Sequence, residues 1–343
     1  AELDDLFRQA DFITLHVPLS GTTKNVIDKK SIQKMKDGVS IINCARGGLV
    51  DEEALYEAIK AGKVRGAALD VFENEPPKNN KLLTLDNVIA TPHLGAATRE
   101  AQENVALSVA QQVTDALLER GIRNAINLPS VDGETMQVLK PWLDLAERIG
   151  LMHGQLFQGS LRDVSIHYGG EVTNFNVAPL TIAVIKGLLT PACGEGINYV
   201  NAPAQAEERG ISVNESKTTR AADFTNFISV QATVDQQKNV IMGTLFGNQD
   251  PRIVRINEFT VEVVPKGDVL VIYNEDLPGV VGSVGSLLGR SKVNIAEMAL
   301  GRVTKKKKTF AMTVINTDQA VPAQVLKKLK ALQPVIDAKV IKL

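Results

Sequence analysis

The stretch AALDVFENEPP, residues 67–77, begins as an apolar strand and ends as an acidic turn closed by two prolines. Its apolar residues predict a strand over 67–72, yet Asp70 interrupts that strand and Glu73 and Glu75 follow it directly. A carboxylate in a buried strand needs hydrogen-bond partners, because burial of an unpaired charge is costly. The sequence on either side therefore has to explain these three acidic residues.

Short apolar strands alternate with helices over the first hundred residues, which is typical of a parallel, doubly wound sheet. Asp51 has the pattern of a helix N-cap and Gly62 that of a helix end. The predicted elements are strands over 12–17, 39–43, 67–72 and 88–90, a helical turn over 31–35, helices over 52–61 and 98–118, and a linker over 127–137.

The pattern changes to α+β after residue 138 and to a βαββαβ order after residue 266, which is the ferredoxin-like arrangement. In the first of these segments we expect helices over 143–157 and 179–189 and strands over 164–168, 227–234, 240–246 and 253–264. In the second we expect strands over 269–273, 294–300, 309–315 and 335–341, with helices over 279–290 and 322–330. The predicted domains are 1–97, 98–137, 138–265 and 266–343.

Composition excludes several classes of function. The 343 residues carry a formal net charge of −1 and only one Trp, so the sequence predicts no nucleic-acid partner. No apolar run approaches the roughly 20 residues of a membrane span, so we expect no membrane partner either. Cys44 and Cys193 lie far apart without metal-ligand spacing, which predicts no metal site, no disulfide framework and a reducing cytoplasm.

Three polar groups follow predicted strands of the parallel sheet, where ligands of such sheets bind. Arg46 follows the second strand, Glu75 the third and His93 the fourth. The guanidinium suits a carboxylate, the imidazole can move a proton near neutral pH, and the glutamate would fix its tautomer. Each residue alone is more often structural, an arginine as an ion-pair partner and a histidine as a surface residue. Their convergence at one sheet edge favours a catalytic site.

Four blocks of the sequence then decide the class: LHVPLSGTTKNVI, MKDGVSIINCARGGLVDEEAL, GAALDVFENEP and NVIATPHLGAAT. In this order and spacing they resemble the C-terminal half of the nucleotide-binding domain of NAD-dependent D-2-hydroxyacid dehydrogenases, and most closely the long-form phosphoglycerate dehydrogenases. The resemblance implies that Arg46 binds the substrate, that His93 is the acid/base and that Glu75 is its partner. It implies NAD as cofactor, with Asp70 holding the nicotinamide carboxamide. The further cofactor-binding residues that it implies are His16, Val17, Pro18, Thr23, Cys44, Ala45, Arg46, His93, Gly95 and Ala96.

The phosphate-binding loop of that family, G-x-G-x-x-G after a first strand, is not found in the sequence. The glycines at 279, 282, 285 and 289 have the spacing G-x-x-G-x-x-G, and we interpret them as unrelated to dinucleotide binding. The chain opens with a helix-like segment, AELDDLFRQA. We therefore expect it to begin part-way through a domain and to be inactive by itself.

Residues 269–302 resemble an ACT domain, a small-molecule-sensing module. The resemblance implies that Asn274, Asp276 and Asn294 bind an amino-acid effector, L-serine, across a dimer interface; a dimerisation module without effector remains open. Residues 138–265 resemble the intervening domain of long-form phosphoglycerate dehydrogenases. Lys238, Arg252 and Arg255 offer an anion site there, although a solvated edge is the stronger interpretation. The run TKKKKT, residues 304–309, predicts a solvated hairpin loop.

The function implied is oxidation of 3-phospho-D-glycerate to 3-phosphooxypyruvate with NAD, the first committed step of L-serine biosynthesis, with feedback through the ACT domain. The expected assembly is a homo-oligomer, a dimer or tetramer, formed through the ACT and nucleotide-binding domains. The expected location is the cytoplasm, or a plastid if a transit peptide precedes the chain. Another D-2-hydroxyacid dehydrogenase, an NADH-switched corepressor and a non-catalytic amino-acid-sensing fragment remain as alternatives.

Overall fold

The structure, a computed structural model, describes residues 2–219 and 224–343 and divides into two compact units, residues 1–113 and 114–343. The first unit contains a four-stranded sheet of order β1-β2-β3-β4 in which every neighbouring pair is parallel. Its strands are β1 Phe12–Leu15, β2 Val39–Asn43, β3 Val64–Leu69 and β4 Val88–Ala90, and the helices of this region are α1 Leu3–Gln9, α2 Lys29–Lys34, α3 Glu52–Lys60 and α4 Arg99–Leu117.

Capping side chains set the helix starts of the first unit. The Asp28 carboxylate accepts from the backbone N–H of Ser31 at the start of α2, and Asp51 accepts from Ala54 at the start of α3. One face of the sheet packs in a core that includes Ile41 and Leu55, both fully buried. Because the four strands are parallel, the loops after them meet at one edge of the sheet.

The second unit contains a mixed six-stranded sheet and an antiparallel four-stranded sheet. The six-stranded sheet has the order β10-β9-β8-β7-β5-β6, in which only the β5–β6 pair is parallel. Its strands are β5 Leu161–Gly169, β6 Ser212–Thr218, β7 Phe227–Val234, β8 Gln237–Phe246, β9 Asp250–Ile256 and β10 Phe259–Val263, and the accompanying helices are α5 Gly133–Leu156, α6 Ala178–Cys193 and α7 Ala202–Glu208.

The antiparallel sheet has the order β12-β13-β11-β14 and belongs to a βαββαβ segment. Its elements are β11 Asp268–Glu275, α8 Val280–Arg290, β12 Ile295–Lys305, β13 Lys308–Thr317, α9 Ala323–Lys330 and β14 Val335–Lys342. This order confirms the predicted ferredoxin-like unit, and the parallel sheet confirms the predicted Rossmann-type half. The TKKKKT run forms the β12–β13 hairpin, with Lys305 paired to Lys308 and a left-handed backbone at Lys306 and Lys307.

Several predicted boundaries are wrong for identifiable reasons. The strand expected over 67–72 ends at Leu69, so Asp70 lies after the strand. The linker expected over 127–137 is helical from Gly133, because the Asp132 side chain caps the Thr135 N–H and α5 continues through Pro141. The single strand expected over 253–264 is a hairpin, since Asn257 turns the chain with a φ of 50°. Helix α7 and strand β6 were not predicted.

Candidate active site

The loops after β1, β2, β3 and β4 carry the candidate residues and contact one another. A Cβ on Gly47 would lie 1.9 Å from the Phe72 carbonyl oxygen, so the loop after β2 lies directly against the loop after β3. A Cβ on Gly48 would lie 3.6 Å from Leu19, in the loop after β1. The loop after β4 contacts the loop after β3 through His93, whose Nδ1 lies 2.8 Å from Glu75 Oε2.

Glu75 is held from two sides. Its Oε1 accepts from the backbone N–H of Phe72 at 3.1 Å, and its Oε2 accepts from the His93 ring. The hydrogen bond from His93, followed by that from Phe72, lowers the pKa of Glu75. Glu75 is therefore an ionised acceptor at neutral pH, and an ionised acceptor selects the imidazole tautomer with its proton on Nδ1. His93 Nε2 is then left to exchange a proton with a ligand.

The buried carboxylate of Asp70 holds the backbone around His93. Its Oδ1 accepts from the Thr91 hydroxyl at 2.5 Å and from the Leu94 N–H at 2.7 Å, and its Oδ2 accepts from the Gly95 N–H at 3.1 Å. These bonds, the Thr91 hydroxyl first, lower the pKa of Asp70. This answers why an acidic residue follows a buried strand: Asp70 is only 6% exposed, but it is paired with three donors.

Arg46 lies in the loop after β2. The side chain of Asn43, at the end of β2, holds this loop with two hydrogen bonds, as Asp70 holds the loop of His93. The Asn43 amide donates to the Arg46 carbonyl at 2.9 Å, and its side-chain oxygen accepts from the Ala45 N–H at 3.1 Å. The Arg46 guanidinium is exposed and donates to the Ala45 carbonyl at 2.7 Å. Among the described residues, no carboxylate pairs with Arg46. Its fork of donors is thus available to an anionic ligand.

The remaining predicted cofactor residues lie in the same four loops. The Thr23 hydroxyl donates to the Pro18 carbonyl at 2.6 Å and shapes the loop after β1 that contains Val17. His16 Nε2 lies 2.9 Å from the Thr14 hydroxyl oxygen. Cys44 is exposed, Ala45 is half-buried, and Ala96 is exposed beside Gly95. All of the predicted catalytic and cofactor residues therefore lie at the carboxyl edge of one sheet.

Three family models match successive parts of the chain. Residues 1–95 match the D-isomer specific 2-hydroxyacid dehydrogenase NAD binding domain, residues 138–257 the D-3-phosphoglycerate dehydrogenase intervening domain, and residues 269–333 the ACT domain. In each of these three segments the chain is similar to the family that the model describes. The resemblance drawn from the sequence blocks is thereby confirmed.

Curated proteins named D-3-phosphoglycerate dehydrogenase match along the whole chain. A D-3-phosphoglycerate dehydrogenase of Synechocystis is 42% identical over 343 residues, which are 100% of this chain and 62% of the relative. The D-3-phosphoglycerate dehydrogenase of Methanocaldococcus jannaschii is 42% identical, and the match covers 64% of that relative. The one of Archaeoglobus fulgidus is 41% identical, and the match covers 65% of that relative. The chain thus spans less than two thirds of the length of these relatives.

Among solved structures, a D-lactate dehydrogenase from Aquifex aeolicus complexed with NAD and lactic acid matches at 36% identity and a TM-score of 0.32. The match covers 34% of this chain and 40% of that one. No helix in residues 2–219 and 224–343 has both the length and the apolarity that a membrane crossing requires. The same residues contain no group of three or more acidic, histidine or cysteine side chains placed to hold a metal ion.

The predicted effector residues of the ACT unit do not meet within one chain. The Asp276 N–H donates to the Thr309 carbonyl, at the start of β13, whereas Asn294 contacts Asp318, just after its end. Asp318 lies nine positions after Thr309 along the extended strand, which corresponds to roughly 30 Å. Asn274 lies near the Asp276 end, because it pairs with Ala311. A site that uses all three residues therefore requires two copies of the chain.

Each of the three effector candidates has a local partner. The Asp276 carboxylate pairs with Arg302, with a bond of 2.6 Å from its Nε, and the Asn294 amide donates to Asp318 at 2.6 Å. The Asn274 amide donates to the Glu275 carbonyl at 2.8 Å, while its buried oxygen has no hydrogen-bond partner among the described residues. That oxygen is an acceptor without a donor in the single chain.

Two residues that hold the candidate site, Asn43 and Thr91, were not identified from the sequence. The signal for Asn43 is a polar residue that closes the strand VSIIN directly after two isoleucines, in a position that is only 2% exposed. Thr91 offers no such signal, because a threonine after a strand is ordinary.

Proposed function

We propose that this chain carries the catalytic and regulatory parts of an NAD-dependent dehydrogenase that oxidises 3-phospho-D-glycerate to 3-phosphooxypyruvate, the first committed step of L-serine biosynthesis. The observation that carries the proposal is the His93–Glu75 hydrogen bond of 2.8 Å, in a loop held beside the loop of an unpaired arginine. The choice of substrate rests on the curated relatives, which are named D-3-phosphoglycerate dehydrogenases. NAD supplies the acceptor for the hydride.

In this proposal, His93 takes the proton of the substrate hydroxyl. The ring presents Nε2 to the substrate because Nδ1 is bonded to Glu75, and the ionised Glu75 stabilises the imidazolium that forms. Arg46 binds the substrate carboxylate with its planar fork of donors. A positive charge at this point also favours the carbonyl oxygen of the product as it develops.

The hydrogen-bonding capacity of the Asp70 side chain fits a nicotinamide carboxamide. Oδ1 accepts from two donors and Oδ2 from one, so an acceptor position remains on Oδ2. We propose that this position accepts from the cofactor amide, with the loops of His16, Val17, Pro18 and Thr23 and of Cys44, Ala45, Gly95 and Ala96 lining the cofactor. We also propose that the domains of the chain end at residues 97, 137 and 265.

The decisive experiment follows NADH absorbance with the complete protein in which this chain occurs. 3-Phosphoglycerate is compared with D-lactate and D-glycerate at equal concentrations. The proposal expects turnover with 3-phosphoglycerate that exceeds turnover with the other two. Equal or faster turnover of D-lactate or D-glycerate would assign the chain to another D-2-hydroxyacid dehydrogenase.

We further propose that L-serine binds between two ACT units, at Asn274 and Asp276 of one copy and Asn294 of the other. The unpartnered amide oxygen of Asn274 and the separation of Asn294 within one chain support this arrangement. An oligomer formed through the ACT and nucleotide-binding domains, located in the cytoplasm, is part of the proposal. Calorimetric titration with L-serine tests it: heat that is lost in Asn294→Ala supports the site, and no heat with the unchanged protein contradicts it.

A further inference from the structure

The Asp70 carboxylate contacts the chain on both sides of His93. The Thr91 hydroxyl reaches it from two residues before His93, and the N–H groups of Leu94 and Gly95 reach it from the residues after. His93 itself has a φ of 55°, in the left-handed region that non-glycine residues rarely adopt. Such a backbone persists only where the surrounding contacts fix it.

Thr91 is itself anchored to the sheet. Its backbone N–H donates to the Leu69 carbonyl at 3.0 Å, directly beside the last pair of the β3–β4 ladder. The backbone that carries the hydroxyl is therefore fixed. The hydroxyl makes the shortest of the three hydrogen bonds to Asp70, at 2.5 Å. A donor in a fixed position determines which way the carboxylate plane turns, and thereby where Leu94 and Gly95 are held.

We propose that Thr91 is a positioning residue for the acid/base His93, and that it acts by orienting the Asp70 carboxylate. This inference rests on the proposed function of His93. Without the Thr91 hydroxyl, Oδ1 loses one of its two donors, and the carboxylate is free to rotate away from Leu94 and Gly95. The His93 backbone then relaxes from its left-handed conformation, and the ring leaves the geometry that its bond to Glu75 requires.

Thr91→Val tests the proposal, since it keeps the side-chain shape and removes only the hydroxyl. Measured in the complete protein, it should lower kcat about 10- to 100-fold, the factor that corresponds to the loss of one buried hydrogen-bond donor. The KM for 3-phosphoglycerate should change little, because Arg46 is unaffected. Thr91→Ser should restore kcat, because it returns the hydroxyl.

Thr84→Val is the matched control. The Thr84 hydroxyl also makes a 2.7 Å hydrogen bond, to the Lys81 carbonyl, but it is exposed and lies in the short 3₁₀ helix Lys81–Thr84 that precedes β4. It should leave kcat unchanged. Equal melting temperatures for Thr84→Val and the unchanged protein, and for Thr91→Val and Thr91→Ser, would establish that a loss of kcat does not come from unfolding.

A double-mutant cycle separates positioning from a general structural role. If Thr91 acts only through His93, Thr91→Val causes no further loss of kcat in a His93→Ala background. An equal loss in both backgrounds, or an unchanged kcat of Thr91→Val beside an inactive His93→Ala, overturns the role of Thr91 and leaves the proposed function standing. Unchanged turnover by His93→Ala alone overturns the proposed function, and this inference with it.

Discussion

The backbone N–H of Asp70 donates a hydrogen bond of 3.0 Å to the carbonyl of Asn43. The two buried polar side chains that hold the candidate loops are thus neighbours at the ends of β2 and β3. Asn43 fixes the loop of Arg46, and Asp70 fixes the loop of His93. Neighbouring strands therefore set the relative position of a guanidinium and an imidazole, and this is how the fold builds the site.

Replacing Asn43 by Asp should weaken substrate binding. The change keeps the side-chain shape and the acceptor for Ala45, but it removes the amide donor to the Arg46 carbonyl and places a carboxylate there instead. One lost hydrogen bond of this kind corresponds to an increase of about 3- to 30-fold in KM for 3-phosphoglycerate. Steady-state kinetics measure it.

Asn87→Asp serves as the matched control for Asn43→Asp. The Asn87 amide also donates to a backbone carbonyl, that of Arg65, at 2.7 Å, but it is exposed and lies at the opposite edge of the sheet. The KM of Asn87→Asp for 3-phosphoglycerate should equal that of the unchanged protein. A similar KM increase in both variants would show that the Asn43 effect is not local to the site.

Arg46→Lys should raise KM more than it lowers kcat. An ammonium keeps the charge but cannot offer two parallel donors to a carboxylate. Loss of one charge-assisted bond corresponds to an increase of about 10- to 100-fold in KM. A fall in kcat with an unchanged KM would contradict the assignment of Arg46 to substrate binding.

Gly47→Ala should disrupt the contact between the loops after β2 and β3. The added Cβ would lie 1.9 Å from the Phe72 carbonyl oxygen, and backbone atoms on both sides have to move to admit it. We expect a lower melting temperature and reduced turnover. Gly282→Ala, in α8, is the control: apart from its chain neighbours and the nearby backbone of its own helix, no atom lies within 4 Å of its Cβ, and a helical alanine is more favourable than glycine by about 1 kcal/mol.

His153 should make the second unit acid-sensitive. It is buried in α5, its Nε2 donates to the Val230 carbonyl at 2.9 Å, and burial lowers its pKa from 6.5 to about 4. In the unfolded chain the imidazole takes up a proton below its ordinary pKa, whereas the folded form does not. Stability is therefore fully present above pH 6.5 and is lost as the pH falls towards 4, by about 3 kcal/mol.

Denaturant unfolding at pH 7 and pH 4.5 measures this effect. His153→Gln retains a donor for Val230 but does not titrate, so its stability should fall less between the two pH values. His167→Gln is the control, because His167 is exposed on β5 of the same unit. A pH dependence that is the same in His153→Gln and in the unchanged chain would contradict the argument.

The sequence predicts the strands of this fold well where an apolar run ends at a polar residue or a turn. β2, β4 and β7 have the predicted bounds for this reason. The predicted helix over 143–157 missed the start of α5 at Gly133, because residues 127–137 were interpreted as a linker. The turn at Asn257 was missed because the apolar pattern continues across it.

For the candidate site, local sequence and family resemblance identify Arg46, Glu75 and His93, but not what holds them. The bonds from Thr91, Leu94 and Gly95 to Asp70 span more than twenty residues and depend on the register between β3 and β4. No local pattern encodes such a register. The roles of the catalytic and cofactor residues remain predictions.

The pH dependence of kcat in the complete protein, compared with that of His93→Ala, tests the central claim most directly. The account predicts that His93→Ala lowers kcat about 10²- to 10⁴-fold and removes the limb of the profile that reports the catalytic base, while NAD still binds. A His93→Ala variant that keeps the rate and the pH profile of the unchanged protein would contradict it.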